Sequence, residues 1–147
     1  MTSTSNLRKS YVDGLYGQVH LLTAGQGHRS QPPLYLLHAT AYSGRTFSPI
    51  IEKLAASRLV HAPDTPGYGG SDRPSELPDF GKYAEAFTDL VSKTTDPASG
   101  PVDVLGYHTG VFVALEAAVQ RPDLFRSIIL IGVPHYTGAE REERRAV

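Results

Sequence analysis

The sequence predicts an α/β fold: a mostly parallel sheet with an antiparallel N-terminal hairpin and helices on both faces. Three observations predict it. Short, almost wholly apolar runs suit strands covered on both sides, segments with three-and-four apolar spacing alternate with them, and a glycine-bracketed turn, Gly106-Tyr107-His108-Thr109-Gly110, joins one such run to a long apolar segment. Alternation of this kind implies right-handed crossovers that place helices on both sheet faces.

The chain has 147 residues, 40% hydrophobic and 20% charged, which fits one globular domain with a sizeable core. A formal net charge of −1 gives no pull toward nucleic acid or an anionic membrane, so a small-molecule substrate or ligand is the expected partner. The absence of cysteine excludes disulfides, thiolate catalysis and cysteine-ligated metal, and suits a cytoplasmic setting. No apolar run reaches the ~20 residues that span a bilayer.

Residues 1–10 read as a flexible tail, 11–136 as the core, and 137–147 as the start of a further helix. Tyr11-Val12, a turn over Asp13–Gly17, and Gln18 to Ala24 read as a hairpin at the sheet's edge, because glycines bracket runs rich in β-branched or aromatic residues. Leu34–Leu37, Leu59–Ala62, Val102–Leu105 and Ile128–Ile131 read as buried strands. Phe47, Ile50, Ile51 and Leu54 share one face of a helix over Thr46 to Ser57. Phe80, Tyr83, Phe87, Leu90 and Val91 repeat that spacing in a second helix that ends near Asp96-Pro97. From Val111 to Val119 nearly every residue is apolar, which predicts a helix buried almost all round, Glu116 excepted. Thr137-Gly138-Ala139-Glu140 reads as a capping box, opening a helix of alternating charge cut after about two turns. The expectation is therefore a truncated product.

Several segments together resemble the N-terminal half of an α/β-hydrolase. Tyr11 to His20 resembles the family's opening strands, and Leu36-Leu37-His38-Ala39-Thr40 its strand followed by His-Gly. Asp64-Thr65-Pro66-Gly67-Tyr68-Gly69-Gly70-Ser71-Asp72 matches the loop after the next strand. Gly106 to Gly110 resembles the family's Gly-x-Ser-x-Gly turn, and Arg121-Pro122-Asp123-Leu124-Phe125 follows in the same order. The resemblance covers essentially Tyr11 to Pro134 and implies that residues 137–147 begin the lid. It also implies that the acid and histidine of a triad lie on later loops, outside this chain.

The resemblance assigns a site and two departures from the family pattern. His108 stands in the nucleophilic serine's position, supported by Gly106, Tyr107 and Gly110. The backbone amides of Thr40 and Thr109 correspond to the oxyanion hole. Ala39 replaces a glycine, which is tolerable only at negative φ. The positive end of a helix dipole disfavours an imidazolium at position 108, and a neutral imidazole serves as general base or nucleophile. Two roles stay open for His108: a chemical one, or an inert replacement of a lost serine.

The resemblance thus implies hydrolysis of an ester, lactone or related acyl small molecule through a pocket at His108. The alternatives are a catalytically inactive ligand- or partner-binding protein, and a cofactor-independent lyase with His108 as base. His38 reads as the residue that orients the oxyanion loop, and His135 and Tyr136 as possible pocket lining after the last strand. His61 reads as a structural strand histidine, and Asp64 and Asp72 as turn formers. No cofactor and no metal are expected: the six histidines lack ligand spacing, Gly25-Gln26-Gly27 is isolated, and the turn at His108 lacks the Gly-x-Gly-x-x-Gly order. The apolar strand ending at Ile131 would be an open edge through which the isolated chain forms a homodimer.

Overall fold

The computed structural model describes residues 6–27, 31–133 and 135–145. Residues 1–5 of the expected tail and 146–147 of the expected last segment lie outside the described residues. Within them a six-stranded sheet is built from β1 (Arg8–Gly14), β2 (Gly17–Ala24), β3 (Leu34–Leu37), β4 (Val60–Pro63), β5 (Val102–Tyr107) and β6 (Phe125–Ile131). Their spatial order is β1-β2-β4-β3-β5-β6. β1 and β2, and β2 and β4, pair antiparallel, whereas β4, β3, β5 and β6 run parallel. Four helices follow the expected alternation: α1 (Ser48–Leu54), α2 (Phe80–Thr94), α3 (Thr109–Gln120) and α4 (Gly138–Arg145).

The hairpin differs from its sequence reading. Arg8↔Thr23 and Gly14↔Gly17 bound the ladder, so the strand begins three residues inside the segment expected as tail, and the turn narrows to Leu15-Tyr16. Arg8, Lys9 and Ser10 are all exposed, which leaves no apolar period to announce a strand that is held by backbone pairing. α1 is shorter than expected, preceded by a 3₁₀ turn over Gly44–Phe47 and carrying Pro49 in its first turn, where its missing N–H costs nothing. α2 starts where Asp79 caps it, its carboxylate accepting from the Lys82 N–H at 2.8 Å. The Thr137–Glu140 capping box is made: Glu140 accepts from the Thr137 N–H at 2.8 Å.

Alternation along the strands divides the core in two. Tyr35, Leu37 and Val104 pack with Phe87 and Val91 of α2 and with Val113, Ala114 and Ala117 of α3. Leu34, Leu36 and Leu105 point to the opposite face, where Phe47 and Ile51 cover them. α3 is not buried all round: Val111 and Ala114 are fully buried, but Leu115 and Val119 are exposed. No described element lies over that outer face, nor over the free side of β6, whose Ile129, Leu130 and Ile131 are exposed.

The parallel registers align the strand ends that carry function. Leu37 pairs with Gly106, and Gly106 with Leu130, so His38, His108 and Gly132 all follow the carboxyl ends of neighbouring strands. This is the side of an open α/β sheet where ligands bind.

Candidate active site

The turn from β5 into α3 is sharp and depends on its two glycines. A Cβ at Gly106 would lie 2.6 Å from the Gly110 carbonyl oxygen, and one at Gly110 would lie 2.3 Å from that of Leu37. Only a glycine pair lets the first turn of α3 sit this close to β5 and β3. Between them His108 has φ 50° and ψ −112°, a conformation that costs a non-glycine residue ~1–3 kcal/mol. Its N–H donates to the Ile131 carbonyl at 2.9 Å, and its own carbonyl accepts from the Val111 N–H at 3.0 Å. The imidazole is exposed, with the Tyr107 ring edge-on at 4.5 Å. It rests over Gly132, where a Cβ would stand 3.0 Å from Nε2.

The loop after β3 faces this turn. His38 is buried and uses both ring nitrogens: Nε2 accepts from the Thr65 N–H at 2.9 Å, and Nδ1 donates to the Ala39 carbonyl at 2.8 Å. An acceptor role for Nε2 requires the proton on Nδ1, so one neutral tautomer is fixed. Burial lowers the His38 pKa, against the raising effects of the Ala39 carbonyl and Asp64. His38 thereby ties the Ala39 carbonyl to the Thr65 amide. The left-handed residue of the loop is Ala41, at φ 69°, rather than Ala39. The methyl group at Ala39 is accommodated in the core.

Thr40 crosses to α3. Its N–H donates to Thr109 Oγ1 in a short hydrogen bond, and its hydroxyl donates to the same oxygen at 2.9 Å. Thr40, Thr109, Gly110 and His38 line a cleft closed on its far side by Thr65, Tyr68, Tyr83, Phe80 and Val113. Phe80, at the start of α2, holds that wall through a ring contact of 5.1 Å with Phe112 of α3. Burial, with Tyr68 and Tyr16 nearby, raises the Tyr83 pKa. His108, expected at the pocket, precedes Thr109 in the chain but is not among the residues that line this cleft. His135 and Tyr136 follow Gly132 and do not line it either.

Asp64 fixes the loop that carries Thr65 and Tyr68. It is 2% exposed and accepts from the Gly44 N–H at 2.6 Å, the Gly70 N–H at 2.8 Å and His20 Nδ1 at 3.0 Å. Its role extends the predicted turn-forming one, since it ties β2, the 3₁₀ turn before α1 and the loop together. Gly69 at φ 54° leaves room for this carboxylate, because a Cβ there would lie 2.1 Å from Oδ2. Among the described residues no group of three or more His, Cys, Asp or Glu side chains could hold a metal, and no helix is long and apolar enough to cross a membrane.

A family model described as alpha/beta hydrolase fold matches residues 32–147. The chain belongs to the α/β-hydrolase family. It is 33% identical over 109 residues to the pimeloyl-[acyl-carrier protein] methyl ester esterase of Chromobacterium violaceum, a match covering 74% of this chain and 38% of that protein. Among solved structures, an epoxide hydrolase from an endophytic Streptomyces superposes with a TM-score of 0.77 at 26% identity, covering 89% of this chain and 38% of that one. The N-acyl homoserine lactonase AidH superposes with a TM-score of 0.75 at 22% identity, covering 87% and 46%, a likeness of fold alone. This α/β-hydrolase chain thus spans less than half the length of these proteins.

Sequence reasoning missed Thr65, Tyr68, Phe80, Tyr83 and Val113 as parts of the cleft wall. Tyr68 lay within the loop matched to the family, and Phe80 and Tyr83 were assigned to the apolar face of a helix. Their role follows from where α2 crosses α3, which no local pattern carries.

Proposed function

We propose that the chain carries the reaction centre of a hydrolase acting on an ester, lactone or related acyl small molecule, with His108 in the position the family gives its nucleophile. The observation that carries this reading is the left-handed backbone of His108 between two obligatory glycines, at the carboxyl end of β5 and opposite the Thr40 loop. Strain of this kind persists where the surroundings enforce it, and it holds the imidazole out toward solvent. In the reaction, an unprotonated imidazole nitrogen attacks the carbonyl carbon and the carbonyl π pair moves to oxygen. Collapse of the adduct then expels the alkoxide, which leaves as the alcohol with the proton of the other ring nitrogen, and water cleaves the neutral acyl-imidazole, its hydroxyl going to the acid and its remaining proton back to the ring. The relatives named above include an ester hydrolase by title, which agrees in bond type. The capped α4 fits the start of a lid.

Hydrolysis of p-nitrophenyl acetate, followed at 400 nm, tests the reading. His108→Ala should lower the rate at least about 100-fold, and acid quenching during turnover should leave an acetyl mass increment on the peptide containing His108. An unchanged rate in the variant would overturn it. Small-molecule binding that survives the substitution, with no turnover in either protein, would favour the inactive binder.

A further inference from the structure

The pair Thr40–Thr109 changes what the cleft can offer a substrate oxygen. By resemblance, the Thr40 amide would donate directly to a developing oxyanion. In the structure that N–H is already engaged by Thr109 Oγ1. The Thr40 hydroxyl donates to the same atom at 2.9 Å. A hydroxyl oxygen has two acceptor sites and one proton. Both acceptor sites of Thr109 Oγ1 are filled by Thr40, so its proton is the part left to give. Thr109 is half-buried and lines the cleft, and it is the first residue of α3, where the N–H groups of the opening turn have no intrahelical partner.

We infer that the Thr109 hydroxyl is itself an oxyanion donor, relaying the Thr40 amide to the substrate. Two donors feeding one hydroxyl polarise its O–H bond, which strengthens the bond it makes in turn. The hole is then formed by two groups of a single residue, the Thr109 hydroxyl and the Thr109 N–H, with Thr40 behind them. A side chain held by two hydrogen bonds is preorganised for this without a further conformational step. The inference rests on the acyl-transfer reading above, and it adds a catalytic side chain that the family pattern does not require.

The test measures binding and turnover separately on the full chain. Phenylphosphonate is the probe, because its oxygens imitate the tetrahedral oxyanion. Calorimetric titration of wild type, Thr109→Val and Thr109→Ser gives affinities, and p-nitrophenyl acetate gives rates. Valine keeps the shape and removes the hydroxyl, so phosphonate affinity should fall about 10-fold and turnover about 100-fold, with serine restoring both. Thr40→Val, which removes one of the two feeding donors and keeps the amide, should weaken phosphonate binding by a smaller factor. That variant carries the test if Thr109→Val fails to fold.

Tighter phosphonate binding or faster turnover in Thr109→Val would overturn the relay, since the hydroxyl would then be a plug in the oxyanion's place. A wild type that binds no phosphonate would overturn it as well. The expected order of affinities with no turnover in any protein would keep the relay and sink the hydrolase reading instead.

Discussion

Among the described residues, His61 carries a buried ring nitrogen without a hydrogen-bond partner. Its Nδ1 meets Thr23 Oγ1 at 3.0 Å and its ring lies 4.9 Å from that of Tyr35, yet Nε2 faces no acceptor or donor. The residue is 5% exposed, and burial pushes its pKa down to about 4. In the unfolded chain the same imidazole takes up a proton near pH 6.5. Between these values the unfolded state binds more protons, so stability is complete above about pH 6.5 and is lost as pH falls toward 4, by about 3 kcal/mol at most. The lowered pKa of His38 gives a slope of the same sign. Urea unfolding at pH 7.5 and 4.5 should show this loss, and His61→Phe should remove about half of it or more; an equal loss in the variant would count against the assignment. The sequence reads His61 as structural from its place in a strand, and the resemblance reads His38 as the residue that orients the oxyanion loop. It could not show that one nitrogen of His61 would be stranded, nor that the Thr109 side chain would turn back onto Thr40. Both depend on which atoms the neighbouring strand or loop presents, and that is decided only in three dimensions.

Elements were legible where burial left a simple signature. β3, β4 and β5 are covered on both faces, so their runs are apolar except at His61 and Asp103, and their limits were read to within a residue or two. β1 was not legible at its start, because an exposed edge strand held by its ladder needs no apolar side chains at Arg8 to Ser10. The amino end of β5 contains a feature no period reveals. Asp103, 3% exposed, accepts from Arg126 of β6 at 2.9 and 2.6 Å and from Arg58 before β4 at 2.5 Å. Burial alone would raise its pKa, but the two guanidiniums outweigh that and hold the carboxyl below the usual range. Arg58 is largely buried and also reaches the Pro32 carbonyl at 2.8 Å, whereas Arg126 is half exposed. Removing the carboxylate charge leaves the largely buried Arg58 without its ion-pair partner, so Asp103→Asn should cost about 3 kcal/mol, while Arg126→Ala, at an exposed side chain, should cost much less. Chemical denaturation checks the order. The cleft lies at the opposite end of β5, so turnover per folded molecule should be unchanged in both variants; equal costs would mean that Arg58 is satisfied without Asp103.

The apolar surface of the whole molecule is unevenly distributed. α1 covers one sheet face, and α2 and α3 cover the other, where the cover ends at Phe125 and Ile128 of β6. Beyond it Ile129, Leu130 and Ile131 of β6 are exposed, and Val119 on the neighbouring face of α3 is 78% exposed. No described strand pairs with the outer side of β6, which leaves a row of backbone donors and acceptors beside apolar side chains. No Pro or Lys lies within β6 to discourage pairing, and its one charged side chain, Arg126, is drawn back to Asp103. Two such edges are self-complementary in an antiparallel, two-fold arrangement, which closes after one contact and buries both. The 147-residue chain should therefore sediment as a dimer at micromolar concentration. Ile129→Lys places a charge in the middle of that edge and should shift the population to monomer, with the circular dichroism spectrum unchanged because residue 129 is already exposed in the single chain. A wild-type chain that sediments cleanly as a monomer would show that the open edge of β6 tolerates water, and a dimer indifferent to Ile129→Lys would place the contact on another surface.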